Sequence, residues 1–85
     1  MGWWDLTVND AVAKRIYNLL EKYDMTKYRL EQKSSIYHGA MNRILSGQNK
    51  TVTLTTLYKL ANGFDITIFE FLDDDLFRSE DIELD

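Results

Sequence analysis

Apolar residues recur at three- and four-residue spacings along most of the chain, which is the pattern of helices with one buried face. A first helix is predicted over about residues 9–23, with Asn9-Asp10 as its N-terminal cap. Its apolar positions are Val12, Ile16, Leu19, Leu20 and Tyr23. The chain has no proline and only four glycines, so the ends of helices must be inferred from caps and periodicity.

Four further helices follow from the same signals. The second begins after Thr26 and runs to about Lys33, and the third spans about Tyr37 to Ser46, with Gly47 as a left-handed stop. Thr53 caps a fourth helix that ends near Gly63. A fifth, short helix opens at Thr67, where Glu70 stands three residues later as in a capping box. Met25 and Met41 are predicted to fill the core. The fold class predicted is all-α, a single five-helix domain over residues 1–85.

Composition excludes several classes of function. Cysteine is absent, which removes disulfides, thiolate metal sites and cysteine nucleophiles. His38 is the only histidine and has no ligand partners at metal-binding spacing, and no nucleophile elbow or phosphate-cradling glycine loop occurs. We therefore expect no enzyme, no metal and no cofactor. No apolar run reaches the roughly twenty residues of a membrane span, so a cytoplasmic protein is expected.

The net charge of −4 is unevenly distributed. Residues 70–85 contain eight acidic side chains and one arginine, hence a net charge of −7, which leaves +3 on residues 1–69. A mildly basic body followed by an acidic C-terminal segment, about residues 73–85, differs from a uniformly acidic protein. The basic body is compatible with a nucleic-acid partner.

Residues 26–46 form the most informative stretch, because two short helices flank a turn tighter than that of an ordinary helical hairpin. Here the chain resembles the Cro/repressor-type helix-turn-helix regulators, also called xenobiotic-response-element-like, over roughly residues 10–72. The residues that carry the resemblance are Met25, Thr26, Leu30, Lys33, Ser34, Ile36, Met41, Arg43, Ile44, Gly47, Leu54, Leu57, Leu60, Ala61 and the run Ile66 to Leu72.

The resemblance implies a bacterial or phage-type transcriptional regulator that binds double-stranded DNA as a dimer on paired half-sites. It makes the helix from Tyr37 the recognition helix. The base-reading positions would be His38, Gly39, Asn42 and Arg43. Arg43 is suited to guanine, because a guanidinium donates two parallel hydrogen bonds to O6 and N7. Asn42 is suited to adenine or to the DNA backbone, and His38 to donation to a base or a phosphate. The flanking residues suited to phosphate contacts are Lys27, Tyr37, Gln48, Asn49 and Lys50.

Two positions depart from the family pattern. Glu31 stands where the family usually has alanine, because the two motif helices nearly touch there. The glutamate is expected to turn outward or to pair with a neighbour such as Arg43. Ser35 occupies a turn position that is usually glycine.

The aromatic termini leave an alternative function open. Trp3 and Trp4 suit either a lid on the core or a subunit interface. The stretch Phe69 to Phe77 holds more apolar side chains than one short helix is expected to bury in its own domain. The alternative is therefore a protein-interaction module, antitoxin-like or accessory, that retains the repressor fold and binds a partner through these termini.

Overall fold

The structure, a computed structural model, describes residues 7–48 and 52–78. Five α-helices occur in these ranges, with a short 3₁₀ helix after them and no strand. They are α1 (Val8–Lys22), α2 (Lys27–Ser34), α3 (His38–Leu45), α4 (Leu54–Gly63), α5 (Ile68–Leu72) and the 3₁₀ helix Asp75–Phe77. The predicted all-α, five-helix fold is confirmed. Trp3, Trp4, Asn49, Lys50 and the segment from residue 79 onward lie outside the described residues.

Threonine side chains cap four of the five helices. Thr26, Thr53 and Thr67 each accept a hydrogen bond from the backbone N–H three residues later, as predicted. The predicted cap of α1 is wrong, because the helix begins two residues earlier than Asn9-Asp10 implies. Thr7 Oγ1 accepts from the Asp10 N–H at 3.1 Å, and the Asp10 carboxylate accepts from the Thr7 N–H at 3.3 Å. Asp10 is thus the second half of a capping box and not the cap itself.

One apolar cluster joins all five helices. The largest fully buried side chains are Val12, Ile16, Leu19, Leu30, Met41, Leu60 and Phe71. Met41 is fully buried and Met25 packs against the cluster, so both methionines belong to the core as predicted. Burying one side chain of this size stabilises the folded state by about 1.5–3 kcal/mol. Both helices of the motif contribute such a side chain, Leu30 from α2 and Met41 from α3. The motif therefore cannot separate from the rest of the domain without exposing this core.

α2 and α4 approach each other closely at Gly63, the last residue of α4. A Cβ at this position would lie 2.7 Å from Leu30 Cδ1 and 3.0 Å from Ser34 Cβ. Any larger residue there would force the Leu30 side chain or α2 itself to shift. The contact fixes the distance of α2 from the core, and α2 in turn positions the helix that follows it.

Arg15 fastens α5 to α1. Its Nε donates to the Phe71 carbonyl at 2.8 Å, one Nη donates to the Glu70 carbonyl at 2.9 Å, and the other pairs with Asp74 at 3.1 Å. The side chain is only 12% exposed, so these charge-assisted bonds are largely shielded from water. They satisfy carbonyls at the end of α5, which has no later turn to bond them.

The apolar C-terminal stretch is divided between the core and the surface. Phe71 is fully buried, and the ring of Phe77 lies 6.3 Å from it, centroid to centroid. The sequence interpretation overestimated the unburied apolar surface here, because the 3₁₀ helix folds Phe77 back onto α5. Phe69 is 81% exposed and Leu72 is 36% exposed. Within the described ranges no helix is long and apolar enough to cross a membrane.

Candidate nucleic-acid interface

The turn between α2 and α3 depends on one residue with left-handed backbone geometry. Ser35 has φ 59° and ψ 29°, the conformation for which glycine is favoured. Ile36 follows and is 7% exposed, so the turn is held against the core immediately after it changes direction. This geometry explains why glycine is expected at position 35. Serine adopts the same conformation at a cost in backbone strain.

α3 divides cleanly into a buried and an exposed face. Met41, Ile44 and Leu45 face the core. His38, Asn42 and Arg43 are exposed, and the Tyr37 side chain that precedes them is 67% exposed. Residues four apart lie on one side of a helix, so His38 and Asn42 are neighbours on the outer surface. The predicted base-reading side chains of α3 therefore share one solvent-facing surface.

Four polar side chains on this surface form a continuous hydrogen-bonded chain. Lys27 Nζ at the start of α2 donates to Asn42 Oδ1 at 2.9 Å. Asn42 Nδ2 lies 3.1 Å from His38 Nε2, and His38 Nδ1 lies 3.0 Å and 3.2 Å from the two carboxylate oxygens of Glu31. We call this set, Lys27, Asn42, His38 and Glu31, the polar chain. It bridges α2 and α3 across the turn.

The direction of each hydrogen bond in the polar chain follows from its ends. An ammonium can only donate, so the oxygen of the Asn42 amide faces Lys27 and its nitrogen faces His38. The amide nitrogen donates, so His38 Nε2 accepts, and the ring carries its hydrogen on Nδ1, which donates to Glu31. From the sequence, Glu31 is expected to turn outward or to pair with a residue such as Arg43. It pairs with His38 instead, and its side chain is 9% exposed.

Arg43 has a different partner. Its Nη2 donates to the Tyr37 hydroxyl at 2.7 Å, and the guanidinium carbon lies 5.7 Å from the centre of the Tyr37 ring. Gly39 lies beneath this pair, since a Cβ there would be 3.1 Å from Tyr37 Cε2. The small residue at position 39 thus leaves room for the tyrosine ring beside the arginine. No sequence pattern indicates this pairing, because it joins residues six apart across the start of a helix.

The remaining predicted site residues are only partly described. Gln48 is exposed and follows Gly47, whose φ of 75° confirms the predicted left-handed stop after α3. Asn49 and Lys50 lie outside the described residues. The structure therefore places Lys27, Tyr37, His38, Asn42 and Arg43 on one surface, with Gly39 beneath and Gln48 at its end.

The acidic residues at the end of the described chain are engaged locally. Arg78 pairs with Asp73 and donates to Asp75 Oδ1 at 2.6 Å. The hydrogen bond to Asp75, with the attraction of both carboxylates, holds the pKa of Arg78 above its ordinary value. We call the exposed set Lys27, Tyr37, His38, Asn42 and Arg43 the recognition surface. Among the residues described, Glu31 is the one carboxylate that hydrogen-bonds a side chain of this surface. Within residues 73–78, the part of the acidic segment that the structure describes, no carboxylate forms a direct ion pair with Lys27 or Arg43.

Two short helices joined by a tight turn, the second exposing a row of donors, are the geometry of a helix-turn-helix. A family model described as "Cro/C1-type HTH DNA-binding domain" matches residues 15–75, from α1 to the 3₁₀ helix. The chain belongs to this family. The resemblance inferred from the sequence is thereby confirmed. As a Cro/C1-type domain the protein is a DNA-binding regulator, with α2 and α3 as its motif helices. Searches of characterised proteins and of solved structures find no match.

Proposed function

We propose that the protein is a sequence-specific transcriptional regulator of bacterial or phage type, which reads the major groove of DNA with α3. The observation that carries the proposal is the exposed row of His38, Asn42 and Arg43 on the outer face of α3. A major groove about 12 Å wide admits one helix, and side chains on its outer face then meet the base edges. Lys27, at the start of α2, and Tyr37 flank the row with groups suited to phosphate.

Arg43 is the proposed reader of guanine. Its guanidinium is held by the Tyr37 hydroxyl and ring, which restrict its rotamers before DNA arrives. A side chain that is already ordered loses less conformational entropy on binding. The proposed function is binding alone, so it requires no catalytic residue. We place this function in the cytoplasm.

A homodimer on paired half-sites is part of the proposal. One domain covers about half of an operator, and two-fold related recognition helices meet DNA about one helical turn apart. The exposed Phe69 and Leu72, beside Glu70 and Asp73 around a shallow recess on α5, supply an apolar surface for a second subunit. The same exposed apolar surface favours a second candidate function, a protein-interaction module that keeps the repressor fold.

Selection of bound sequences from a random duplex pool, at low and at near-physiological salt, tests both candidates. Enrichment of a palindrome with half-sites about 10 base pairs apart at the higher salt is expected of a dimeric regulator. Enrichment of no sequence, with binding that vanishes as salt rises, would contradict the proposal and favour the interaction module.

Arg43→Ala sharpens the same experiment. Loss of two parallel hydrogen bonds to guanine should cost about 1–3 kcal/mol and relax preference at one base pair of each half-site. Arg29→Ala is the matched control, because Arg29 is an exposed arginine of α2 whose side chain has no bond to the polar chain. An unchanged enriched sequence with Arg43→Ala would remove α3 from base reading.

A further inference from the structure

We propose that Glu31 is a positioning residue for base reading: through His38 it holds the Asn42 amide in the orientation that reads adenine. The proposal deepens the proposed function and rests on α3 being the recognition helix. Glu31 belongs to α2, whereas His38 and Asn42 belong to α3. The helix that does not enter the groove would thus determine how a side chain of the entering helix is presented.

Glu31 fixes which nitrogen of the His38 ring carries the hydrogen. Both carboxylate oxygens of Glu31 lie within 3.2 Å of His38 Nδ1, and the carboxylate is mostly shielded from water by the two helices. A carboxylate can only accept, so in the uncharged ring it places the hydrogen on Nδ1 and leaves Nε2 as an acceptor. His38 is itself 67% exposed at its side chain, so without Glu31 only the exposed Lys27, acting through Asn42, would favour one of its two nitrogens.

His38 in turn fixes the orientation of the Asn42 amide. With Nε2 as an acceptor, Asn42 must present its nitrogen to His38, and its oxygen is turned to the other side, where Lys27 donates to it. Were the ring hydrogen on Nε2, the amide would have to turn over, and its nitrogen would then face the ammonium of Lys27. The tautomer of one ring therefore sets which end of the amide points which way.

The oriented Asn42 amide retains groups that can bind a base. The bond to His38 uses one of the two Asn42 amide hydrogens, and the oxygen has two lone pairs, of which Lys27 occupies one. One amide hydrogen and one oxygen lone pair remain. A donor and an acceptor on a single amide match the N7 acceptor and N6 donor that adenine presents in the major groove. The base pair selected by Asn42 is therefore A·T.

The energetics identify Glu31 as the member that depends on the network. Shielding a carboxylate from water costs free energy unless the carboxylate is hydrogen-bonded. His38 is the residue that donates a hydrogen bond to Glu31. Asn42 and Lys27 are both exposed, so water could replace their partners at little cost. The rigid end of the polar chain is at Glu31, and orientation is transmitted outward from it.

The test combines a tautomer measurement without DNA and a base preference with DNA. His38 is the only histidine, so long-range ¹H–¹⁵N correlation, recorded at a pH where the ring is uncharged, gives the pattern of one imidazole. The wild type should show the hydrogen on Nδ1, and Glu31→Ala should move it to Nε2. In pool selection, Glu31→Ala should lower the adenine preference at one half-site position on the order of tenfold, a fraction of what a bidentate pair supplies.

Two variants separate positioning from folding and from charge. Glu31→Gln keeps the shape of the side chain, but its amide can donate as well as accept at Nδ1, so it should loosen the tautomer and lower the adenine preference while leaving the packing of α2 and α3 intact. Glu21→Ala removes an exposed carboxylate of α1 and should leave both readouts as in the wild type. Thermal unfolding of each variant confirms that it is folded at the assay temperature.

Three results would overturn the proposal, and they point to different errors. Hydrogen on Nε2 in the wild type would contradict the polar chain itself. An unchanged adenine preference in Glu31→Ala, on a site that the wild type enriches, would contradict the positioning role while leaving the proposed function intact. A wild type that enriches no site would contradict the proposed function, and base reading by Asn42 with it, whatever tautomer His38 shows.

Discussion

Single residues set the presentation of the recognition surface before any DNA is bound. Ser35 turns the chain between the motif helices with a positive φ, and Gly39 leaves space for the Tyr37 ring beside Arg43. The polar groups that would meet bases already have protein partners, namely the Tyr37 hydroxyl for Arg43 and the polar chain for Asn42. Binding DNA therefore starts from side chains that protein contacts have already ordered.

Ser35→Gly should stabilise the domain by about 0.5–1 kcal/mol. The left-handed conformation costs a non-glycine residue about 1–2 kcal/mol, and the greater freedom of glycine in the unfolded chain offsets part of the gain. Urea denaturation of the two proteins measures the difference. Ser46→Gly is the control, because Ser46 has φ −86° and should gain nothing from glycine. A similar stabilisation at both positions would mean that the strain at Ser35 is not the cause.

At the scale of elements, helices were predictable because their signals are local. Threonine caps, apolar periodicity and Gly47 lie within a few residues of the helix ends that they define. The cap of α1 was misassigned because Asn9-Asp10 are themselves good capping residues, and the actual cap, Thr7, precedes them. Thr7 with Asp10 three residues later was the signal that could have identified it.

The partners within the candidate site were less predictable than its position. Resemblance to the family indicated which side chains lie on the outer face of α3, and those that the structure describes are there. The bond between Glu31 and His38 depends on the distance between two helices, which the sequence does not encode locally. Likewise, Phe77 returns to the core only because the 3₁₀ helix reverses the chain.

Arg15→Ala should destabilise the domain by about 2–4 kcal/mol. It removes three charge-assisted hydrogen bonds and leaves the Glu70 and Phe71 carbonyls at the end of α5 without their donor. Thermal or urea unfolding measures the loss. The neighbouring Lys14→Ala changes the charge equally on an exposed part of α1 and should stay within about 0.5 kcal/mol of wild type. Equal effects of the two variants would show that charge, and not the contact with α5, is responsible.

For the whole molecule, the distribution of charge matters more than its sum. The net charge of −4 would repel DNA if it were spread evenly. In the structure Arg78 pairs with carboxylates of its own segment, while Lys27 and Arg43 lie on the recognition surface. Affinity for DNA should therefore be sensitive to salt, as is usual where lysines and arginines displace counterions from phosphates.

Lys27→Ala should weaken binding to all sequences by a similar factor and flatten the plot of log K against log salt by about one unit. The reason is the loss of one phosphate contact, since the Lys27 ammonium keeps two further hydrogens for the DNA backbone while it donates one to the Asn42 oxygen. Fluorescence anisotropy with a specific and a random duplex at several salt concentrations measures both effects. Lys14→Ala, an identical change of charge on α1, should leave the slope nearly unaltered. Equal slopes for the two variants would exclude a direct phosphate contact by Lys27.

The three hydrogen bonds of Arg15 can form only after most of the chain has been synthesised. Their partners lie 55 or more residues further along the chain, and translation at roughly 5–20 residues per second separates the two groups by roughly 3–11 s. Until residue 70 is added, the chain contains none of the acceptors that join α1 to α5, even when α1 to α4 are complete. A chain cut before residue 70 would therefore keep the recognition helix α3 but lose every bond of Arg15 to the C-terminal segment.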